Sequence, residues 1–107
     1  MSTPNRPSVE TAAQDAVARG AIPHVLDGST IDTRLGMLDA LAAALAFPDY
    51  FGRNYDALTD CLRDLPAGEH VLIWRSPQTL RSAAPKAYRV IREVLEEADH
   101  LTVVLAD

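Results

Sequence analysis

The sequence has one cysteine and no long apolar run. Cys61 has no second thiol with which to form a disulfide inside the chain, and no paired cysteines mark a zinc site. No stretch approaches the roughly 20 apolar residues that a membrane-spanning helix needs. The first residues also lack the apolar segment and cleavage site of a signal peptide. We therefore expect a cytoplasmic protein.

Glycine-rich loops and an excess of basic side chains are missing as well. The five glycines are scattered, and none belongs to a nucleotide-binding fingerprint. Acidic residues outnumber basic residues by 15 to 10, which gives a formal net charge of -5, whereas phosphate binding needs concentrated Lys and Arg. The composition argues against direct contact with nucleic acid and is compatible with a cationic protein partner. We expect neither a cofactor nor an enzymatic activity.

The chain is long enough for one domain with one core, since 48% of its 107 residues are hydrophobic. Residues 1–20 are expected to form an N-terminal extension, with disorder over residues 1–7 and a weak amphipathic helix between Val9 and Gly20. That helix offers mostly alanine on its apolar side, so its burial would contribute little. We expect the domain itself to occupy residues 21–107.

Apolar periodicity over the domain predicts the order β-α-α-β-α-β. Continuous apolar runs such as "VLIW" at residues 71–74 indicate strands buried on both faces, and helical crossovers favour parallel pairing. We therefore expect an α/β fold, a three-stranded parallel sheet packed against helices. The predicted strands lie at residues 24–28, 71–74 and 101–105. The first predicted helix is capped by Asp32 or Thr33 and buries Leu35, Leu38, Leu41, Ala42 and Leu45. A second helix is expected from Asn54 to about Asp64, a loop with at most one helical turn at residues 75–84, and a third helix from Pro85.

Three histidines offer an alternative function. His24, His70 and His100 each lie at the start of a predicted strand, so parallel strands would bring them to one edge of the sheet. A cluster there would suit a metal or a catalytic base. Ligand sites in open α/β sheets usually lie at the opposite edge, and no two of these histidines share a local ligand spacing. Solvated residues at strand entries are therefore the favoured interpretation, and Cys61 is interpreted as a small buried hydrophobe.

The helix predicted from Asn54 carries aspartates at every fourth position. At about 100° per residue, Asp56, Asp60 and Asp64 lie on one side, and the leucines lie on the other side. Like charges at this spacing repel by a few tenths of a kcal/mol per pair. The helix therefore predicts a buried apolar face and an exposed acidic face.

Local effects explain only part of that face. Asp56 lies in the first turn, where the helix dipole favours an anion, and Arg53 is close enough in sequence to approach it. Arg63 is expected to offset Asp64. Asp60 has neither benefit, so the positive charge of a partner is the best explanation for it. The adjacent aromatics Tyr50 and Phe51 precede the helix and are typical of protein interfaces.

The stretch "FPDYFGRNYDALTDCLRDLP" at residues 47–66, followed by "HVLIWR" at residues 70–75, resembles the central region of the barstar family. "VIREVLEEA" and "LTVVL" are similar to the family's final helix and strand, so the resemblance covers about residues 24–107. The members of the barstar family are intracellular inhibitors of secreted bacterial ribonucleases such as barnase. The resemblance implies a three-stranded parallel sheet with helices and a protein that performs no chemistry.

By this resemblance, the acidic helix would enter the basic active site of a ribonuclease, where RNA phosphates otherwise lie. Asp60 would pair with the enzyme's Arg and His groups, and Asp56 with a further donor. Thr59 stands where barstar has a tryptophan, Asp64-Leu65 replaces a Gly-Trp pair, and Arg53 replaces an acid. The resemblance therefore implies a nuclease other than barnase, or another basic protein, as the partner. The predicted partner-binding residues are Tyr50, Phe51, Asn54, Asp56, Thr59, Asp60, Asp64, Glu93 and Glu97.

Two other functions remain open at this point. The same fold could bind a basic protein that is not a nuclease, or the three histidines could support a small metal-assisted enzyme. A monomer is the expected state, because no feature of the sequence indicates self-association.

Overall fold

Three parallel strands form one sheet in the order β1-β2-β3 in the computed structural model, which describes residues 6–107. The first five positions of the segment predicted to be disordered lie outside the described residues. The strands are β1 (Ile22–Asp27), β2 (His70–Arg75) and β3 (Leu101–Ala106). The helices are α1 (Val9–Ala18), α2 (Arg34–Ala44), α3 (Tyr55–Arg63), α4 (Gln78–Ala83) and α5 (Pro85–Glu97). The predicted α/β class and parallel three-stranded sheet are confirmed.

Side-chain caps set the beginnings of the two helices that flank the linker at residues 45–54. The Thr33 hydroxyl accepts a hydrogen bond from the backbone N–H of Gly36 at 3.0 Å, so Thr33 and not Asp32 caps α2. The Asn54 carbonyl oxygen accepts from the Ala57 N–H at 2.7 Å, as predicted for α3. Caps of this kind stabilise a helix by about 1 kcal/mol each. The starting points of α2 and α3 are therefore fixed by local sequence, and the Asn54 cap also fixes the end of the linker.

The main core lies between one face of the sheet and the helices α2, α3 and α5. β2 is the central strand, and four of its residues from Val71 to Trp74 are buried, in agreement with its continuous apolar run. One prediction for α2 was wrong, because Leu35 is exposed and Met37 is buried. The buried stripe of α2 consists of Met37, Leu38, Leu41 and Leu45. At about 100° per residue, Leu35 lies about 100° around the helix axis from the centre of this stripe.

The second face of the sheet is covered by α1. Ala12 and Ala16 of this helix pack against Val71, Ile73 and Ala106. The helical part of the predicted extension therefore contacts the sheet, although the small alanine side chains bury little area. A domain boundary between residues 20 and 21 stays a prediction.

Two details complete the fold. The predicted loop between β2 and α5 contains α4, which Leu80 attaches to the core. Gly28 follows β1 where the backbone passes close to Trp74, since a Cβ at this position would lie 2.6 Å from the Trp74 indole nitrogen. Within residues 6–107, no helix is both long enough and apolar enough to cross a membrane.

Candidate protein-binding surface

The helix α3 separates its two kinds of side chain as the helical wheel predicts. Leu58 and Leu62 are buried in the main core, whereas Asp56, Asp60 and Asp64 are exposed. Asp56 lies in the first turn of the helix, where the dipole favours its charge. We refer to the exposed line of these three aspartates as the acidic crest.

Arg63 pairs with Asp60 and not with Asp64, which corrects the expectation from the sequence. The Arg63 guanidinium Nη1 lies 3.2 Å from the Asp60 carboxylate, and both side chains are about 70% exposed, at 72% and 71% respectively. Residues three positions apart are neighbours on a helix surface, whereas adjacent residues diverge by about 100°. Asp60 therefore has a weak local cation in the free protein.

Arg53 pairs with Asp39 of α2 and not with Asp56. Its guanidinium donates two hydrogen bonds to the Asp39 carboxylate, at 2.8 and 3.0 Å. The backbone of Arg53 has a φ of 54°, which turns the chain just before α3. The expectation that Arg53 would approach Asp56 was therefore wrong, and its charge is directed to α2.

Tyr50 and Phe51, the two linker aromatics predicted to contact a partner, have different environments. The Tyr50 side chain is 85% exposed, so it is free to contact a partner. Phe51 is half-buried and packs on Phe47 with a distance of 5.1 Å between ring centroids. Asn54 donates a hydrogen bond from its side-chain amide to the Gly52 carbonyl at 3.3 Å, in addition to capping α3. Phe51 and Asn54 therefore shape the linker, while Tyr50 is the aromatic that it presents.

A shallow cleft of about 250 Å³ lies between the linker and α3. Tyr50, Asp60, Cys61 and Asp64 line it, and we call it the Tyr50 cleft. Burial raises the pKa of the Cys61 thiol, and the nearby charges of Asp64 and Asp60 raise it further. A thiol with a raised pKa is a poor nucleophile at neutral pH. The structure thus brings together three of the predicted binding residues around Cys61, which is half-buried and not, as expected from the sequence, fully buried.

The opposite flank of α3 borders a larger groove of about 620 Å³. Thr59 and Arg63 line it from α3 and Glu97 lines it from α5, and we call it the α3–α5 groove. The Thr59 hydroxyl donates a hydrogen bond to the Tyr55 carbonyl at 3.1 Å. Glu93 is exposed on α5 but lines neither cavity. The predicted residues therefore divide between the crest, its two flanks and the exposed side of α5.

Sequence reasoning missed acidic residues that lie around the same surface. Asp39 holds Arg53, and Glu69 and Asp99 line the α3–α5 groove. Each comes from a different element or loop. The position of Glu69 and Asp99 just before β2 and β3 was an available signal, because parallel strands begin at the same edge of a sheet.

Two of the three histidine side chains contact each other, and the third, that of His100, pairs with Glu69 instead. His24 Nε2 is 2.9 Å from His70 Nδ1, and His70 Nε2 is 2.7 Å from the Pro66 carbonyl. A carbonyl only accepts, so His70 donates from Nε2 to Pro66 and meets His24 through its Nδ1. His70 is 2% exposed, so the interpretation of all three as solvated strand-entry residues was wrong for this one.

His100 is exposed and pairs with Glu69, because its φ of 63° turns the chain just before β3. Residues 6–107 contain no group of three or more His, Cys, Asp or Glu side chains placed to hold a metal ion. Burial, together with repulsion from His70, lowers the pKa of His24, whereas the Glu69 carboxylate raises the pKa of His100. The three histidine side chains therefore do not form the single cluster that the alternative function requires.

Comparison with known proteins agrees with the family resemblance seen in the sequence motifs. A family model described as "Barstar (barnase inhibitor)" matches residues 22–103, a segment that includes α3, the linker and most of the sheet. The chain is also 39% identical over 77 residues to the "Putative ribonuclease inhibitor YrdF" of Bacillus subtilis (strain 168). That similarity covers 68% of this chain and 85% of the relative. With the family match spanning the whole region from the first strand to the third, this chain belongs to the barstar family.

Proposed function

We propose that this protein inhibits a basic ribonuclease by covering the enzyme's active site with the acidic crest of α3. The family to which it belongs is one of barnase inhibitors, and the relative from Bacillus subtilis is named as a ribonuclease inhibitor. The proposal goes beyond both facts in assigning the contact to particular residues and in holding that the protein does no chemistry.

One observation carries the proposal. Asp60 lies in the middle of the crest and lines the same cleft as the exposed ring of Tyr50. A carboxylate beside a presented aromatic ring combines a charge that a cationic site can bind with an anchor that excludes water. The only ion pair that Asp60 makes with the described residues is the exposed one with Arg63, and such pairs contribute about 0–1 kcal/mol. A partner's Arg or His groups would readily replace it.

The chain's own residues would then have separate roles. Asp60 would pair with the cationic groups of the enzyme, and Asp56 would meet a further donor from the first turn of α3. Asp64 would face the enzyme across the Tyr50 cleft, and Glu93 would meet a basic residue at the enzyme's edge. Opposite potentials steer the two proteins together before contact; the barnase–barstar pair is itself a standard example of this effect.

The partner is inferred to differ from barnase. Thr59 and Leu65 stand where barstar has tryptophans, so two aromatic contacts are replaced by space beside α3. Arg53 stands where barstar has an acid, and its charge is directed to Asp39. We further propose one-to-one binding by a monomer in the cytoplasm, where an inhibitor would protect the RNA of the cell that makes the nuclease.

Inhibition of purified nucleases tests the proposal. A panel of basic bacterial ribonucleases, barnase among them, is assayed on RNA with and without this protein. For the enzyme that is inhibited, Asp60→Ala weakens inhibition by at least about thirtyfold, because removing one member of a desolvated charge pair costs 2 kcal/mol or more. Glu10→Ala removes an acid from α1, across the sheet from α3, and changes inhibition by no more than about twofold.

Full inhibition by the Asp60→Ala variant would exclude the crest as the contact. If no basic ribonuclease is inhibited, the alternative is a binding module for another basic protein. Capture of partners from the lysate of the source cells, followed by an RNase assay of the captured material, separates these two functions, because only a nuclease partner gives RNA cleavage after its release.

A further inference from the structure

The α3–α5 groove has apolar walls and a buried polar floor. Leu62 of α3 and Val94 and Ala98 at the end of α5 contribute to its walls. The His70 ring lines the groove, is 2% exposed and donates a hydrogen bond to the Pro66 carbonyl. This hydrogen bond fixes the loop between α3 and β2, so the cavity of about 620 Å³ is bounded by packed elements. The groove is therefore large enough for a side chain from another molecule.

The charges around this groove are unbalanced. Of its cationic groups, Arg63 is engaged with Asp60, and His100 is engaged with Glu69. Glu97 and Asp99 also line the groove, and neither forms an ion pair with another residue of the described chain. The groove therefore offers apolar walls together with two carboxylates that form no ion pair, although the charge of Asp99 acts on the neighbouring His100.

We propose that the α3–α5 groove binds a long cationic side chain, Arg or Lys, of the partner protein. The aliphatic stem would lie against the Leu62, Val94 and Ala98 walls, and the charged end would reach Glu97 and Asp99. Arg and Lys suit such a site because each has an apolar stem and a charged end. The source of the side chain rests on the proposed function, but the capacity of the groove to hold a cation does not.

Continuity with the acidic crest supports this assignment. Thr59, which is half-buried, and Arg63, which is exposed, line the groove and lie on the flank of α3 next to the crest. A protein that covers Asp60 therefore extends over the groove's edge. Asp99, which lies outside α3 and α5, becomes a binding residue on this basis.

Titration with a small probe tests the groove independently of any nuclease. Backbone amide resonances of the full-length ¹⁵N-labelled protein are followed while Nα-acetyl-arginine amide is added, with Nα-acetyl-citrulline amide as the uncharged control of the same shape. The arginine compound is expected to shift the amides of Gly68, Val94 and Ala98 with millimolar affinity, and the citrulline compound is expected to leave them unchanged. Glu97→Gln and Asp99→Asn each weaken binding by about threefold, and Glu10→Gln on α1 does not.

The possible results discriminate clearly. Equal shifts with the citrulline compound, or shifts at Asp56 and Asp60 with none around the groove, would overturn the proposal. Arginine binding that persists in the Glu97→Gln/Asp99→Asn double variant would overturn it as well. The titration needs no nuclease, so failure of the protein to inhibit any ribonuclease and failure of the groove to bind a cation are separate outcomes.

Discussion

The Arg63 guanidinium lies 3.2 Å from the Asp60 carboxylate, on the outer surface of α3, the helix that we propose contacts the nuclease. Both groups are largely exposed, so water screens the attraction and the pair contributes little to stability. Under the proposed function, this contact places a positive charge beside the carboxylate that the basic partner would have to reach. Arg63 would then oppose the approach of that partner while leaving Asp60 available once contact is made.

Arg63→Ala is expected to speed association with an inhibited ribonuclease by about twofold at low salt, because it removes positive charge from the surface that the enzyme approaches. Stopped-flow measurement of the association rate checks this, and the gain shrinks as ionic strength screens the charge. Arg19→Ala is the matched control, since Arg19 is an exposed cation just after α1 that pairs with Asp15. An equal gain in both variants would show that net charge, and not the crest, determines the rate.

The His24–His70 pair predicts a loss of stability in acid. The pKa of His24 is lowered from its ordinary value of 6.5 by burial and by His70. Below pH 6.5 the unfolded chain therefore binds more protons than the folded one, and the free energy of unfolding falls as the pH drops through the lowered pKa. The free energy of unfolding at each pH is measured by urea unfolding, monitored through the fluorescence of Trp74, the single tryptophan. His24→Gln is expected to make this acid slope shallower.

His100 provides a control of opposite sign. Glu69 raises the pKa of His100, so its contribution is present below pH 6.5 and is lost as the pH rises through the raised pKa. His100→Gln is therefore expected to alter the slope of stability on the neutral side and to leave the acid loss in place. An unchanged acid slope in the His24→Gln variant would contradict the assignment of that loss to the His24–His70 pair.

Gly28→Ala is expected to destabilise the fold by about 1–3 kcal/mol, the range for overpacking a core. The added Cβ would lie 2.6 Å from the Trp74 indole nitrogen and 2.7 Å from the Arg75 carbonyl oxygen, so backbone or ring has to move. Urea unfolding gives the loss, and a changed emission spectrum of native Trp74 reports the displaced ring.

Gly20→Ala separates this clash from the general effect of replacing glycine. Gly20 has a φ of 80° and open space around its Cα, so alanine there strains the backbone without touching the core. We expect that variant to lose stability while its native tryptophan spectrum stays unchanged. A Gly28→Ala protein with the stability and emission of the parent would show that the contact with Trp74 is not tight.

Local pattern accounts for most of the fold. The continuous apolar run of β2, the Asn54 cap and the division of α3 into an apolar and an acidic side follow from neighbours a few positions apart in the chain. Met37 was missed because the orientation of the α2 stripe depends on the surfaces that cover it. The Arg63–Asp60 pair was within reach of the sequence, because residues three apart on a helix are neighbours; the error was to pair Arg63 with the residue adjacent in sequence.

By itself the sequence determined the parallel α/β order and the acidic side of α3, because helix and strand periodicities act over a few residues. The family resemblance was also available from the sequence, because it rests on the motifs at residues 47–66 and 70–75. Only the tertiary structure decided that Arg53 joins Asp39, that His24 joins His70 across 46 positions, and that Asp99 closes a groove with α3 and α5. These contacts join separate elements. Their partners depend on strand order, register and helix packing, which no local spacing specifies.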